Sequence, residues 1–292
     1  MPATVTTKNV VEQWVTFPGG VEFYTKTWKA NSEPPVATVV FVHGFGEHVN
    51  RYDHVFDKFQ GNGIEVFAYD QRGFGQTAAR NKNPGVTSWK LATEDITHAL
   101  RLRRREGVPQ FLFGHSMGGA LAVNYATEGP ERDNVAGFLI SAPFLDQPAS
   151  TKPSQSIVYL GTAVSKVLPS FQIGVKFFPE YTSRVPEEVK KYEDDPLIHS
   201  IGSLGGIRDM LLGPKAVLKS KYKNITKPIY MVHGDDDKIT CCKTSKELFD
   251  KIPSSDKTFR EWKGGYHELH NDLEKDEVII EWIEWILKRK YF

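Results

Sequence analysis

Gln110-Phe111-Leu112-Phe113-Gly114-His115-Ser116-Met117-Gly118-Gly119 is the stretch on which the fold turns. Residues 110–113 read as a short buried strand, and a helical pattern starts at Met117 and runs to Glu128. Between them lies G-x-S-x-G. A serine on such a strand-to-helix turn takes a strained backbone, and small residues two positions away on either side keep the turn from clashing. The turn exposes the Ser116 hydroxyl at the sheet edge. It also aims the Met117 N–H, at a helix N-terminus, toward the place where a carbonyl oxygen would become negative.

Outward from that turn, short apolar runs typical of buried parallel strands recur at 37–42, 64–69, 135–140, 228–232 and, less clearly, 257–262. Helical patterns separate most of them, at 52–60, 88–106, 117–128, 243–251 and 276–288. Residues 11–17 and 21–28 flank Pro18-Gly19-Gly20 and read as an antiparallel hairpin. The expected fold class is therefore α/β, a mostly parallel sheet with an N-terminal hairpin and helices on both faces. One connection is abnormal. More than eighty residues separate the strand ending near Ser141 from the one beginning near Pro228, where a crossover needs about a dozen. Prolines 148, 153, 169, 179, 186, 196 and 214 should break this insertion into short pieces. In 154–168, Ile157, Leu160, Val164, Val167 and Leu168 fall on one helical stripe. The chain divides into a core at 1–146 and 216–292 and a cap at 147–215 over the sheet edge where ligands bind.

A serine hydroxyl is a poor nucleophile and needs a base held by a third group. After the strand at 228–232 comes His233-Gly234-Asp235-Asp236-Asp237. After the strand at 257–262 comes Gly264-Gly265-Tyr266-His267. Both loops follow the nucleophile at the correct sheet edge, in the order serine, acid, histidine. Local chemistry does not choose among the three aspartates, nor between His267 and His270. His43-Gly44-Phe45-Gly46 follows the strand at 37–42 and offers a second N–H, from Phe45, to an oxyanion. A dinucleotide loop would need glycine at position 49, where this chain has Val49.

Together these segments resemble the monoacylglycerol lipases of the α/β-hydrolase superfamily, the lysophospholipase-like branch. The resemblance rests on His43-Gly44-Phe45-Gly46-Glu47-His48, Asp70-Gln71-Arg72-Gly73-Phe74-Gly75, Gly114 to Gly119, Asp195-Pro196-Leu197, His233-Gly234 with Asp237, and Tyr266-His267. It implies an α/β-hydrolase fold with Ser116 as nucleophile, Asp237 as orienting acid, His267 as base, and the N–H groups of Phe45 and Met117 as oxyanion hole. It implies release of a fatty acid and glycerol from a monoacylglycerol through an acyl-enzyme, without metal or organic cofactor. Carboxylesterase and lysophospholipase activities use the same triad, and a non-catalytic receptor for an apolar ligand is the alternative outside enzymes. Some members carry a reactive cysteine three residues after the acid. Here that position is Thr240, and Cys241 and Cys242 read as ordinary free thiols.

Composition agrees. Lys+Arg 37 against Asp+Glu 36 leaves +1, too balanced for a nucleic-acid footprint. The two cysteines are adjacent and cannot staple distant elements, which suits a reducing, cytoplasmic setting. The first residues show no secretory leader pattern, and no apolar run is long enough to span a bilayer. The cap stripe either lines an acyl tunnel or dips into a membrane or lipid-droplet surface. Asp70 and Arg72 are expected to pair and brace their loop, and the run Arg101-Leu102-Arg103-Arg104-Arg105 to be a solvated helix end. An unperturbed imidazole base would lose activity below about pH 6.5.

Overall fold

The computed structural model describes residues 5–7 and 9–290. Among them, nine strands form one sheet in the order β1-β2-β3-β5-β4-β6-β7-β10-β11. The antiparallel end comprises β1 (Val5–Thr7), β2 (Val10–Phe17) and β3 (Val21–Trp28), and β3 runs antiparallel to β5 (Ile64–Tyr69). From β5 onward every pairing is parallel, through β4 (Ala37–Val42), β6 (Gln110–His115), β7 (Gly137–Ser141), β10 (Ile229–Gly234) and β11 (Lys257–Trp262). The apolar runs are continuous because strands β4, β5, β6, β7 and β10 are buried along their whole length. β11 is an edge strand with alternating exposure at its start, which is why its run is the least apolar of the set.

Helices cover both faces. Val55, Phe56 and Phe59 of α1 (Asp53–Gly61) share one core with Val278, Ile279, Trp282, Ile283 and Ile286 of the last helix. The opposite core takes Ile96 and Leu100 of α3 (Trp89–Leu102), Tyr125 of α4 (Met117–Glu128) and Leu248 of α8 (Cys242–Lys251). A short α2 (Gly75–Asn81) precedes α3, and α9 (Lys275–Leu287) closes the chain. From β4 the chain moves to β5 on one side and then crosses to β6 on the other. The crevice at the C-terminal ends of β4 and β6 is thus a switch point, where open α/β sheets bind ligands.

The long connection from β7 to β10 carries α5 (Gln155–Ser165), β8 (Gln172–Gly174), α6 (Pro186–Asp194), β9 (Ile201–Ser203) and α7 (Leu204–Lys219). β8 and β9 pair antiparallel. Pro214 does not break this stretch as expected: it lies buried inside α7, whose Met210 and Val217 join the core against α4. Packing there outweighs the backbone hydrogen bond that proline removes. The stripe on α5 also differs from the tunnel-packing reading. Ile157 is exposed yet lines a cavity, whereas Leu160 and Val164, with Val167 and Leu168 just beyond the helix, are exposed and stand outside its lining. Helix α3 ends at Leu102, sooner than its pattern suggested, and the arginines around its end are solvated, as expected, and also ion-paired. Arg101 and Arg104 both reach Glu131, and Arg105 reaches Glu33 and Glu65.

Candidate active site

Ser116 stands between β6 and α4 with φ 55° and ψ −117°, a backbone that L-residues rarely adopt. Its neighbours hold it there. The Ser116 N–H donates to the Ser141 carbonyl over 3.0 Å, and its own carbonyl accepts the N–H groups of Ala120 and Phe144. The flanking glycines are steric necessities. A Cβ on Gly114 would lie 2.2 Å from the Gly118 carbonyl oxygen, and one on Gly118 would lie 2.1 Å from the carbonyl oxygen of Val42.

The structure brings Ser116, His267 and Asp237 into one buried hydrogen-bonded chain. His267 Nε2 is 2.9 Å from Ser116 Oγ, and His267 Nδ1 is 2.7 Å from Asp237 Oδ2. A carboxylate only accepts, so Nδ1 carries the proton and Nε2 faces the hydroxyl as acceptor. The second carboxylate oxygen, Oδ1, accepts the N–H groups of Ile239 at 2.7 Å and Thr240 at 2.9 Å. The two other aspartates separate cleanly from Asp237. Asp235 and Asp236 are exposed, the former accepting the Gly264 N–H. His270 is a packing residue, stacked on Tyr52 at 4.7 Å and edge-on to His115 at 5.0 Å.

Electrostatics follow from this geometry. Burial alone would lower the His267 pKa, but the Asp237 carboxylate beside it prevails, so the imidazole sits above its ordinary 6.5. Burial would raise Asp237, but His267 and His233 hold its carboxyl far below the usual range. Burial pushes His115 and His270 well below 6.5, so the rings packed behind the base are neutral.

The second predicted loop lies beside the serine. Met117 is the first residue of α4, so its N–H has no carbonyl in a preceding turn to satisfy. Phe45 follows β4 in a loop fixed at several points. Gly44 N–H donates to Glu47 Oε1 over 2.6 Å, and a Cβ on Gly46, at φ 79°, would meet the His199 carbonyl oxygen at 2.5 Å. His199 N–H donates to the Gly46 carbonyl, and His48 Nε2 lies 2.8 Å from Asp195 Oδ2, so the cap and this loop are joined.

Sequence reasoning missed a buried ionic bridge beneath the site. Arg51 donates to Glu47 Oε2 at 2.7 Å and, through two nitrogens, to both oxygens of Glu268 at 2.7 Å each. Glu47 belongs to the Phe45 loop and Glu268 directly follows His267, so one guanidinium ties the two loops together. Glu47 lies in a loop and not on a helix, so its spacing from Arg51 carried no signal. Nor did the pairing with Glu268, more than two hundred residues away. Asp70 and Arg72 do not pair with each other. Asp70 accepts the N–H groups of Val49 and Gln76, while Arg72 binds Asp95 through two nitrogens. Each braces the loop separately, because the positions two apart point to different partners. Both thiols are free, and burial together with Glu261 pushes the Cys242 thiol up to about 12, the reverse of an activated cysteine.

Ser116 and His267 open into a cavity of about 390 Å³. Its floor is polar, with Gly44, Glu47 and Glu268. Its walls are apolar and come largely from the β7–β10 connection, including Ile157, Val158, Ile173, Phe177, Phe178 and Ile207. A cavity with one polar end and a long apolar wall suits an amphiphile.

The chain is similar to several known hydrolases. The family described as serine aminopeptidase, S33 matches residues 33–274. A Schizosaccharomyces pombe protein provisionally named monoglyceride lipase is 37% identical over 266 residues, covering 90% of this chain and 69% of that protein. The crystal structure of the Paleococcus ferrophilus monoacylglycerol lipase is similar at TM-score 0.82 and 30% identity, over 92% of this chain and 99% of that one. A soluble variant of the Saccharomyces cerevisiae monoglyceride lipase in complex with a substrate analog gives TM-score 0.85 at 25% identity, over 99% of each chain.

Proposed function

The chain belongs to the serine aminopeptidase S33 family, within the monoacylglycerol lipase group of α/β hydrolases, and on that premise we propose that it hydrolyses monoacylglycerols to fatty acid and glycerol. The observation that carries this reading is the chain Ser116–His267–Asp237 opening into a cavity with a polar floor and apolar walls. In the proposed reaction His267 takes the Ser116 proton as the hydroxyl attacks the acyl carbon. Asp237 holds the tautomer and stabilises the imidazolium. The N–H groups of Phe45 and Met117 receive the oxyanion. The imidazolium then protonates the departing glycerol, and a water activated by the same base releases the fatty acid from Ser116.

Peptide chemistry is disfavoured by the charges around the cavity. An aminopeptidase needs a spare carboxylate for the substrate ammonium, yet Glu47 and Glu268 are both held by Arg51. The remaining charged residues of the lining are Lys176, Arg208 and Lys238. Initial rates on monooleoylglycerol, lysophosphatidylcholine, a butyrate ester and an aminoacyl anilide test the assignment. Monooleoylglycerol should be the fastest and the anilide inert. Preference for the butyrate ester or for lysophosphatidylcholine would replace the reading with carboxylesterase or lysophospholipase.

Residues 147–215 act in this scheme as the cap that receives the acyl chain and meets the lipid surface. Tyr159, Leu160 and Val167 are 81%, 65% and 80% exposed. Residues 147–179 contain Lys152, Lys166 and Lys176 and no acidic residue. Lys152 is paired with Asp146, and the exposed apolar helix, with Lys166 at its end, fits contact with a bilayer or droplet surface. No helix among the described residues is long and apolar enough to cross a membrane, so the contact proposed is peripheral.

A further inference from the structure

Behind the triad acid lies a second set of donors that the reaction scheme does not use. Asp237 Oδ2, the oxygen that binds His267, also lies 2.6 Å from Thr240 Oγ1 and 3.2 Å from His233 Nε2. Thr240 Oγ1 is itself 3.1 Å from His233 Nε2, 3.3 Å from the Ala142 carbonyl oxygen and 3.3 Å from His267 Nδ1. The ring's far side, His233 Nδ1, is 3.0 Å from Ser245 Oγ on α8. Thr240, Ser245 and His233 are fully buried.

With His233 neutral, the contacts fix where each proton in this cluster lies. Asp237 is ionised and only accepts. Thr240 has a single hydroxyl proton, and its shortest contact by far is the carboxylate, so it donates there. His233 Nε2 then faces two acceptors, Asp237 Oδ2 and the Thr240 oxygen, and must carry a proton. His233 Nδ1 is left as the acceptor for the Ser245 hydroxyl. Each polar atom is satisfied, with Asp237 between two imidazoles, and the hydroxyl of Thr240 closes the gap between them.

We propose that Thr240 and His233 are positioning residues, a donor cradle that fixes the orientation of Asp237 and limits how much of its negative charge reaches His267. The inference rests on the reading of Ser116, His267 and Asp237 as a catalytic triad. A carboxylate oxygen shared among three donors attracts the His267 proton less than one bound to His267 alone. The cradle therefore limits how far Asp237 raises the base while the buried carboxylate itself remains ionised. The other groups facing His267 are Ser116 from the start of α4, His115 from β6, and Glu268 and Glu47, which share Arg51 and still raise the imidazole pKa. Loss of the Thr240 donor leaves all of these in place.

Thr240→Val keeps shape and burial and removes the donor; Thr240→Ser keeps the donor. Two readouts apply, the pH profile of kcat/KM on monooleoylglycerol and the NMR titration of the His267 ring. Thr240→Val should lower plateau kcat/KM about tenfold, within the range of a hydrogen bond to a charged group. It should also move the acid limb and the His267 midpoint upward by roughly half a unit to one unit. Thr240→Ser should restore both, and His233→Gln, which retains an N–H, should fall between. A Thr240→Val profile with an unmoved limb, or a loss that Thr240→Ser fails to rescue, would overturn the cradle. The NMR titration needs no turnover. A wild-type protein inert on every acyl ester would therefore refute the proposed function, and the His267 midpoint would still decide the cradle.

Discussion

In the proposed mechanism His267 decides the pH dependence, and the direction follows from its surroundings. Its role requires a neutral Nε2, so turnover must fail once the ring is protonated. Burial acts to lower the pKa, but Asp237, with Glu268 and Glu47 behind it, raises it above 6.5. The acid limb of kcat/KM should therefore lie above the 6.5 expected for an isolated imidazole. Rates measured across the neutral range check this, and a limb below 6.5 would contradict it. Asp237→Asn removes the raising charge, so the limb should move down while kcat falls by about 10⁴ through loss of the tautomer. The sequence located Ser116 and both loops because each lies at the end of a recognisable strand. It could not by itself choose Asp237 over Asp235 and Asp236. That choice depends on turn N–H groups at Ile239 and Thr240 and on burial, which are properties of the folded loop. Thr240 and His233 were invisible as partners of Asp237 for the same reason.

At the scale of elements, the site depends on close backbone approach and on one buried cation. Gly118→Ala would place a methyl group 2.1 Å from the Val42 carbonyl oxygen. The β4 loop and the start of α4 would have to separate, at a cost of about 1–3 kcal/mol or more. Because those two elements carry Phe45 and Met117, kcat should fall more steeply than stability. Urea unfolding and kinetics of the same preparation compare the two. Arg51→Leu would leave Glu47 and Glu268 buried without their cation, a loss of about 3–5 kcal/mol. Combining it with Glu47→Gln and Glu268→Gln should recover much of that stability. The parallel strands were legible because burial on both faces demands continuous apolar runs. The helices α6 and α7 were not legible. The first is polar and short, and the second runs through Pro214 because packing on α4, rather than local propensity, sustains it.

In the proposed scheme the whole molecule divides its tasks between a sheet that carries Ser116, Asp237 and His267 and a long connection that supplies most of the cavity wall. Its near-zero net charge supplies little field to steer a charged partner, so recruitment of an uncharged lipid should depend on the exposed face of α5. Leu160→Ser with Val167→Ser should reduce flotation with liposomes containing anionic phospholipid. Turnover of a dispersed short-chain ester should be unchanged, since neither side chain lines the cavity. Equal flotation of variant and wild type would remove the membrane role. At roughly 150 residues per domain, a length of 292 residues alone corresponds to about two domains. The surplus over one α/β core is instead this connection, whose outer face no pattern search could orient. The most direct measurement is fatty-acid release from monooleoylglycerol by wild-type protein and by Ser116→Ala, with circular dichroism on both. The proposed mechanism expects steady release by the wild type and almost none by a normally folded Ser116→Ala; undiminished release by that variant would contradict it.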